Sequence, residues 1–491
     1  MLSALSCFIV AGCSVGAGQL QTAPVLPSNW STPLSASEAA AASPAELVQW
    51  WRQLNDPLLT TLIERALAEN REVREAIARV KEARALQGVA DARAYPQVDL
   101  VGGAARDRIS EINRFPMQGV KNPTNLYQGE LDASWEVDIF GGVHWSREAA
   151  AADTRRIEFD RAAVAVSVSA EVAAAYLRLR GAQAQLATLR EQIALGRETI
   201  AIVASRVNAG LVSELDLLRA RELLATLEAR RPLFEAAAGV EMRRLGVLVG
   251  AQAGSLLADL SEIKPPPQAV PRLPATVPAD LLARRADLRA IEQALAAAGD
   301  RVAVADAARY PRLSLGLTLG LLSLDRGNLT SAARSAWNAG FSASVPLFDG
   351  GALDARHAAA RASYEQAAIQ YEHAAARAVE EVESAAVRYG GARLRREKLV
   401  EALGANEDAR NLSRVRYEGG LADFLVVLDA QRQLYLVQDE EILAREQALL
   451  SLVALYKALG GGWSAPNRDA GAPCAACANP LAPGQTVRRD G

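Results

Sequence analysis

The 491-residue sequence predicts a mainly α-helical chain that also carries a membrane β-barrel, built as a duplicated helix–strand–strand–helix–helix repeat. Three observations predict it. Ordered landmarks recur at an offset of about 210 residues, a self-similarity that decides architecture before any local reading. Two stretches, His144 to about Asn208 and Ala352 to about Tyr417, are rich in Ala and have no internal proline. Between the helical stretches, Pro311–Leu322 places Leu313, Leu315, Leu317, Leu319 and Leu321 on one side of an extended chain. Ser314, Gly316, Thr318 and Gly320 fall on the other side. A period of two belongs to a strand, not a helix.

The landmarks of the repeat are specific. Ala94-Tyr95-Pro96-Gln97-Val98 answers to Arg309-Tyr310-Pro311-Arg312-Leu313. Ile139-Phe140-Gly141-Gly142 answers to Leu347-Phe348-Asp349-Gly350-Gly351, and Ala209-Gly210-Leu211-Val212 to Gly419-Gly420-Leu421-Ala422. Leu217-Leu218-Arg219-Ala220-Arg221 answers to Val427-Leu428-Asp429-Ala430-Gln431.

Each element follows from local chemistry. Leu58 to Arg93 is expected as one helix, with Leu62, Ala66, Val73, Ile77, Val80 and Ala83 near 3.6 spacing. Tyr95-Pro96 ends it, because proline lacks the N–H and restricts the residue before it. A strand follows from Gln97 to about Arg106, then a polar loop holding Pro116 and Pro123. A second strand alternates through Leu131, Ala133, Trp135, Val137 and Ile139. Gly141-Gly142 breaks it. The second half repeats this, with Trp337, Ala339, Phe341, Ala343, Val345 and Leu347 alternating. The long helix of each half would run roughly 95–100 Å at 1.5 Å per residue. Each turns at glycine (Gly210; Gly419-Gly420) and returns as a further helix, and Tyr389-Gly390-Gly391 is a candidate bend. Taken alone, such helices also read as a coiled-coil stalk.

The remainder sets the boundaries. Residues 1–12 read as a lipoprotein signal peptide, because Val10-Ala11-Gly12-Cys13 resembles a lipobox, although no Lys or Arg precedes the apolar run. Ser14 after the cysteine fits export to the outer membrane. Residues 13–44 form an anchor and linker, 45–262 the first repeat, 263–278 a Pro-rich linker, 279–462 the second repeat and 463–491 a disordered tail. Cys474 and Cys477 lie in that tail without the further ligands a zinc site needs. Their thiols would pair in an oxidising compartment. Lys and Arg number 54 against 57 Asp and Glu, a net charge of -3 that argues against nucleic-acid binding. No run of 18 or more apolar residues is present, so no membrane-spanning helix is expected.

Four strands with one apolar face do not close a sheet. In water the leucine face would pack on a helix. In lipid an open edge is not tolerated, so the sheet must close, and small barrels need about eight strands. One chain supplies about four, so the chain must oligomerise, and a trimer supplies about twelve. The leucine face then meets lipid, and the Gly, Ser and Thr face meets water.

The lipobox, the Trp50-Trp51…Asp56-Pro57 opening, Gly420-Leu421…Leu428-Asp429-Ala430-Gln431 and the duplicated layout resemble TolC-type outer membrane efflux factors, in the NodT/OprM-like lipoprotein branch. The resemblance covers roughly residues 45 to 462. It implies a homotrimer with a twelve-strand outer membrane barrel and a twelve-helix periplasmic tunnel. The implied partners are a periplasmic adaptor (membrane fusion protein) and an inner-membrane pump of the resistance-nodulation-division class. The implied role is the exit duct of a tripartite efflux system, conducting small molecules passively. A type I secretion duct is the alternative in the same fold, and a lipid-anchored periplasmic coiled-coil protein the alternative in another. No cofactor is expected beyond a covalent diacylglycerol and N-acyl chain on Cys13.

With three histidines (His144, His357, His373) and no P-loop, Gly-x-Ser-x-Gly or metal spacing, no enzyme is expected. The chemistry to look for is a gate at the hairpin turns. By position in the resembling family, Tyr417 and Asp216 match a hydrogen-bonded pair that holds the tunnel shut, a bond worth about 1.5–3 kcal/mol. Asp429 matches a ring of carboxylates at the entrance, which would favour cations. The family's second acidic position is Val426 here, and its locking arginine is Ala422. Leu425 or Val426 is therefore a candidate hydrophobic constriction, and Asp423 at the second turn a further gate candidate; the alternative reading of Asp423 and Asp429 is a helix cap or solvated charge.

Overall fold

A computed structural model of the chain describes residues 26–31, 44–108, 123–267, 278–324 and 335–464. The N-terminal part contributes α1 (Pro44–Val48), a 3-10 turn (Trp50–Leu54), α2 (Pro57–Glu69) and α3 (Arg71–Ala92). The one helix expected over Leu58–Arg93 is thus two. Asn70 leaves the helical region at ψ 138, and its side chain accepts from the N–H groups of Glu72 and Val73, so it both stops α2 and caps α3. Asp56 caps α2 in the same way, with Pro57 at its first position.

Strands β1 (Gln97–Asp107), β2 (Thr124–Val137), β3 (Arg312–Ser323) and β4 (Ser335–Ser344) form one antiparallel sheet in the order β1-β2-β3-β4. β2 begins seven residues before the predicted Leu131 start, and β4 stops short of Val345 and Leu347. Pro346 explains the early stop, since it cannot donate to a ladder. Register fixes the two faces. Leu315 pairs with Trp135 and Phe341, Leu317 with Ala133 and Ala339, and Leu319 with Leu131 and Trp337. On the opposite face Thr318 stands between Asp132 and Asn338, and Ser314 between Glu136 and Ser342. Both outer edges, β1 and β4, pair with nothing among the described residues.

Two helical hairpins hang below the sheet. Helix α4 (Gly142–Asn208) and helix α9 (Ala352–Glu418) each have 67 residues, and each returns through a 35-residue helix, α5 (Glu214–Leu248) and α10 (Phe424–Ala458). Each long helix is therefore about 100 Å long. At the candidate bend, Gly390-Gly391, α9 continues as one unbroken helix. One stretch of α4 is long and apolar enough to cross a membrane by composition, but 56% of it is buried inside the protein, as in a core helix. Short helices α6 (Leu257–Leu260) and α7 (Asp280–Arg284) flank the linker, and α8 (Ala286–Ala307) packs along α4 and α9.

The main core sits at mid-length of the hairpins, far from both sheet and turns. Trp50 stacks on Tyr456 with centroids 5.3 Å apart, and Leu59, Ile63, Leu177, Leu179 and Leu245 close around them. The Tyr176 hydroxyl donates to Asp56 at 2.5 Å, joining the cap of α2 to α4. Glycine permits two close approaches here. At Gly250 (φ +79) a Cβ would run into the Glu69 carbonyl, and at Gly181 it would meet the Glu446 carboxylate. Cys13, Cys474, Cys477, Pro116 and residues 268–277 of the linker lie outside the described residues.

Candidate functional site

The turns of the two hairpins are built alike. Helix α4 ends with Gly210 at φ +70, where the Gly210 N–H donates to the Val207 carbonyl and the Leu211 N–H to the Arg206 carbonyl. Helix α9 ends with Gly420 at φ +73, where the same bonds run from Gly420 to Tyr417 and from Leu421 to Arg416. This double bond closes a helix end, and a left-handed residue there needs glycine. The residue after each glycine is thrown out to solvent: Leu211 is 72% exposed and Leu421 73%. Ser213 caps α5 by accepting from the Leu215 N–H, whereas Asp423, at the matching position of α10, makes no capping bond.

The predicted Tyr417–Asp216 bond is not present within the chain. Tyr417 is only 5% exposed, and its hydroxyl is buried without a hydrogen-bond partner among the described residues. Phe424, with its ring centroid 5.7 Å away, and the small cluster of Val203, Leu217, Val427 and Leu428 draw the phenol into an apolar pocket. Asp216 is turned to Arg219 one helical turn on, at 3.8 Å.

A different residue joins the hairpins. Arg206, in the last turn of α4, donates to the carbonyl oxygens of Tyr417 (3.0 Å) and Glu418 (3.1 Å). Its guanidinium carbon lies 4.3 Å from the centroid of the Tyr417 ring. A planar fork that binds two carbonyls and stacks on an aromatic ring is a job for Arg rather than Lys. The carbonyls are those at the C-terminal end of α9, where a cation is favoured. Sequence reading missed Arg206. The available signal was its place, four residues before the turn glycine, with Arg416 at the same place in the second repeat.

The other gate candidates are surface groups. Asp423 and Asp429 are exposed and make no ion pair among the described residues, and Leu425 and Val426 are about half exposed. Leu215 occupies the position of Leu425 on the first hairpin and is exposed to the same degree. Above the turns, polar pairs stitch hairpin to hairpin: Gln431 to Thr199 at 3.1 Å, Gln192 to Gln438 at 3.0 Å, Arg230 to Asp439 at 2.6 Å and Arg432 to Glu222 at 2.5 Å.

The strand leucines share one face of the sheet. Leu315, Leu317 and Leu319 are exposed and Leu313 and Leu321 half-buried, all on one face with Trp135, Trp337 and Phe341. The Trp135 indole N–H donates to the Ala94 carbonyl at 3.0 Å, which ties β2 to the end of α3. The opposite face is hydrogen-bonded as a wet surface is: Thr318 donates to Asp132 at 2.7 Å, and the Ser314 and Ser342 hydroxyls lie 2.7 Å apart. No group of three or more potential metal ligands occurs among the described residues.

In the helical part, burial, opposed by Arg178 and aided by the nearby Glu241, pushes the Glu446 carboxyl up to about 7. The Oε2 of Glu241 is itself buried without a hydrogen-bond partner among the described residues.

Comparison with known proteins agrees with this geometry. The pattern of the outer membrane efflux protein family matches residues 62–251 and 277–461, one match per repeat. A pyoverdine export outer membrane protein, OpmQ, of Pseudomonas putida is 30% identical over 445 residues, covering 89% of this chain and 92% of that protein. A toluene efflux pump outer membrane protein, TtgI, of Pseudomonas putida is 31% identical, covering 83% and 86%. The solved outer-membrane channel OprN superposes with a TM-score of 0.83 at 32% identity, covering 91% of this chain and all of that one.

Proposed function

Because the chain belongs to the outer membrane efflux protein family, we propose that it is the outer membrane exit duct of a tripartite efflux system. It conducts small molecules passively from an inner-membrane pump and its periplasmic adaptor to the exterior. The observation that carries this reading is the sheet. Its four strands have 10 to 14 residues, the length that crosses a bilayer. They present one apolar face, one hydrogen-bonded polar face and two open edges. A coiled-coil stalk has no use for such a sheet, and lipid admits it only as part of a closed barrel.

Closure calls for further copies, and a homotrimer of four-stranded sheets supplies about twelve strands. The helices support the same reading. Leu233, Val240 and Val247 recur every seven residues along α5 and are exposed, as are Leu436 and Leu443 on α10. These are the seams of a coiled-coil-like ring awaiting neighbours. Three copies of two hairpins then make a tunnel of about twelve helices, each about 100 Å from base to tip where the long helices run. Cys13 carries a lipid that holds the N-terminus at the membrane, and the pump is of the resistance-nodulation-division class. The family is one of channels, and conduction needs no catalytic residue. At the tunnel entrance, exposed Asp429 contributes a ring of three carboxylates that favours cations.

Single-channel recording of the detergent-extracted protein in a planar bilayer tests this, with wild type beside Asp429→Ala. Cation-selective pores whose selectivity falls in the variant support both duct and ring. Pores indifferent to the variant retain the duct and remove the ring. A well-folded sample without pores removes the duct.

A further inference from the structure

The two hairpins of one chain meet through Arg206, and the repeat supplies a second arginine for a second seam. Helix by helix, the second hairpin repeats the first 210 residues later: Gly142–Asn208 against Ala352–Glu418, and Glu214–Leu248 against Phe424–Ala458. Arg206 maps onto Arg416, and the Tyr417 and Glu418 carbonyls that Arg206 caps map onto those of Val207 and Asn208. The Arg416 side chain is exposed and makes no hydrogen bond or ion pair among the described residues, although that of Arg206 at the same place makes three contacts.

In a ring where hairpins of the first and second kind alternate, half the seams lie within a chain and half between chains. We propose that Arg416 is the latch between copies: its guanidinium caps the C-terminal carbonyls of Val207 and Asn208 on α4 of the next copy. This rests on the homotrimer proposed above. The helix end is favourable for a cation on either seam, because both turns leave the same carbonyls pointing past the last turn.

The two seams differ in what surrounds the arginine. Within the chain, Arg206 lies on Tyr417, backed by Phe424. Between chains, the matching positions are Val207 and Glu214, so the aromatic bed is gone and a carboxylate stands where Phe424 stood. The intrachain seam is therefore held by apolar burial and cation–π contact, and the interchain seam by charge. Exposed charge pairs weaken with salt, whereas buried apolar contacts do not. The ring accordingly opens first between copies, with each chain's pair of hairpins moving as a unit.

The test uses the full chain in detergent, with Cys474→Ser and Cys477→Ser to silence the tail thiols. Arg416→Cys combined with Asn208→Cys is treated with a short bismaleimide and run on a denaturing gel, beside each single variant and beside a native mass measurement. Covalent dimers and trimers from the double variant alone are the expected result. In bilayers, Arg416→Ala raises open occupancy at least about tenfold, from the loss of the charged hydrogen bonds to the two carbonyls. High salt opens wild type towards the level of that variant. A trimeric native mass with bands only at the size of one chain overturns the latch and leaves the trimer standing. A native mass that is not trimeric removes both.

Discussion

Replacing Leu317 by arginine tests the orientation of the sheet. Leu317 lies mid-way along β3, 40% exposed, with only Ala133 and Ala339 beside it in the register. The exposed part of its side chain faces whatever lies outside the sheet. If that is hydrocarbon, a cation at this depth costs about 2–4 kcal/mol per copy, and about 6–12 kcal/mol over three copies. Since about 1.4 kcal/mol is a factor of ten, even the lower figure removes some four decades from the assembly equilibrium. The control is one residue away. Thr318→Arg puts the same cation on the opposite face, beside Asp132, whose carboxylate already accepts from Thr318 at 2.7 Å. There the ion pair is solvated and the change stays within about 1 kcal/mol. The assay is the fraction recovered from outer membranes as a detergent-extracted, heat-modifiable oligomer at equal expression. Loss of Leu317→Arg with retention of Thr318→Arg is expected. Equal recovery of the two, or the reverse order, refutes the assignment of faces.

Other outcomes follow from the same contacts. Arg206→Ala removes two charge-assisted bonds and the stacking on Tyr417, and should raise tip opening in bilayer recordings, with Arg206→Lys restoring little because it lacks the fork. Tyr417→Phe should be neutral or slightly stabilising in conductance and melting, since the hydroxyl it deletes is buried and unpartnered; a rise in conductance would show that the hydroxyl holds the closed state. Glu446 is an acid raised to about 7 in the fold, so between about pH 4.5 and 7 the native state binds more protons than the unfolded chain. Stability should therefore fall as pH rises through that window, and Glu446→Gln should flatten the melting-temperature profile there. Gly250→Ala combines a left-handed backbone with a collision against the Glu69 carbonyl and should cost at least about 2 kcal/mol, read as a lower denaturant midpoint.

Much of the fold was legible because its signals are local. The period of two in Leu313–Leu321 identifies a strand and its faces without reference to any partner. The proline-free stretches set helix lengths to within two residues, and Gly210 and Gly420 mark turns because the left-handed region excludes most other residues. The break at Asn70 was also local, an Asx cap inside a helical pattern, but the run of apolar positions on both sides hid it. What sequence could not reach is what depends on which surfaces meet.

The sequence by itself determined the duplication, the amphipathic strands and the two long hairpins. These follow from spacing along one chain, where covalent geometry does the arranging. Only the tertiary structure decided the tip. It buried Tyr417 beside Phe424 away from Asp216, and it brought Arg206 to carbonyls 211 and 212 positions further on. A hydrogen bond is selected by distance and angle, and at that separation along the chain both are fixed by how two helices pack.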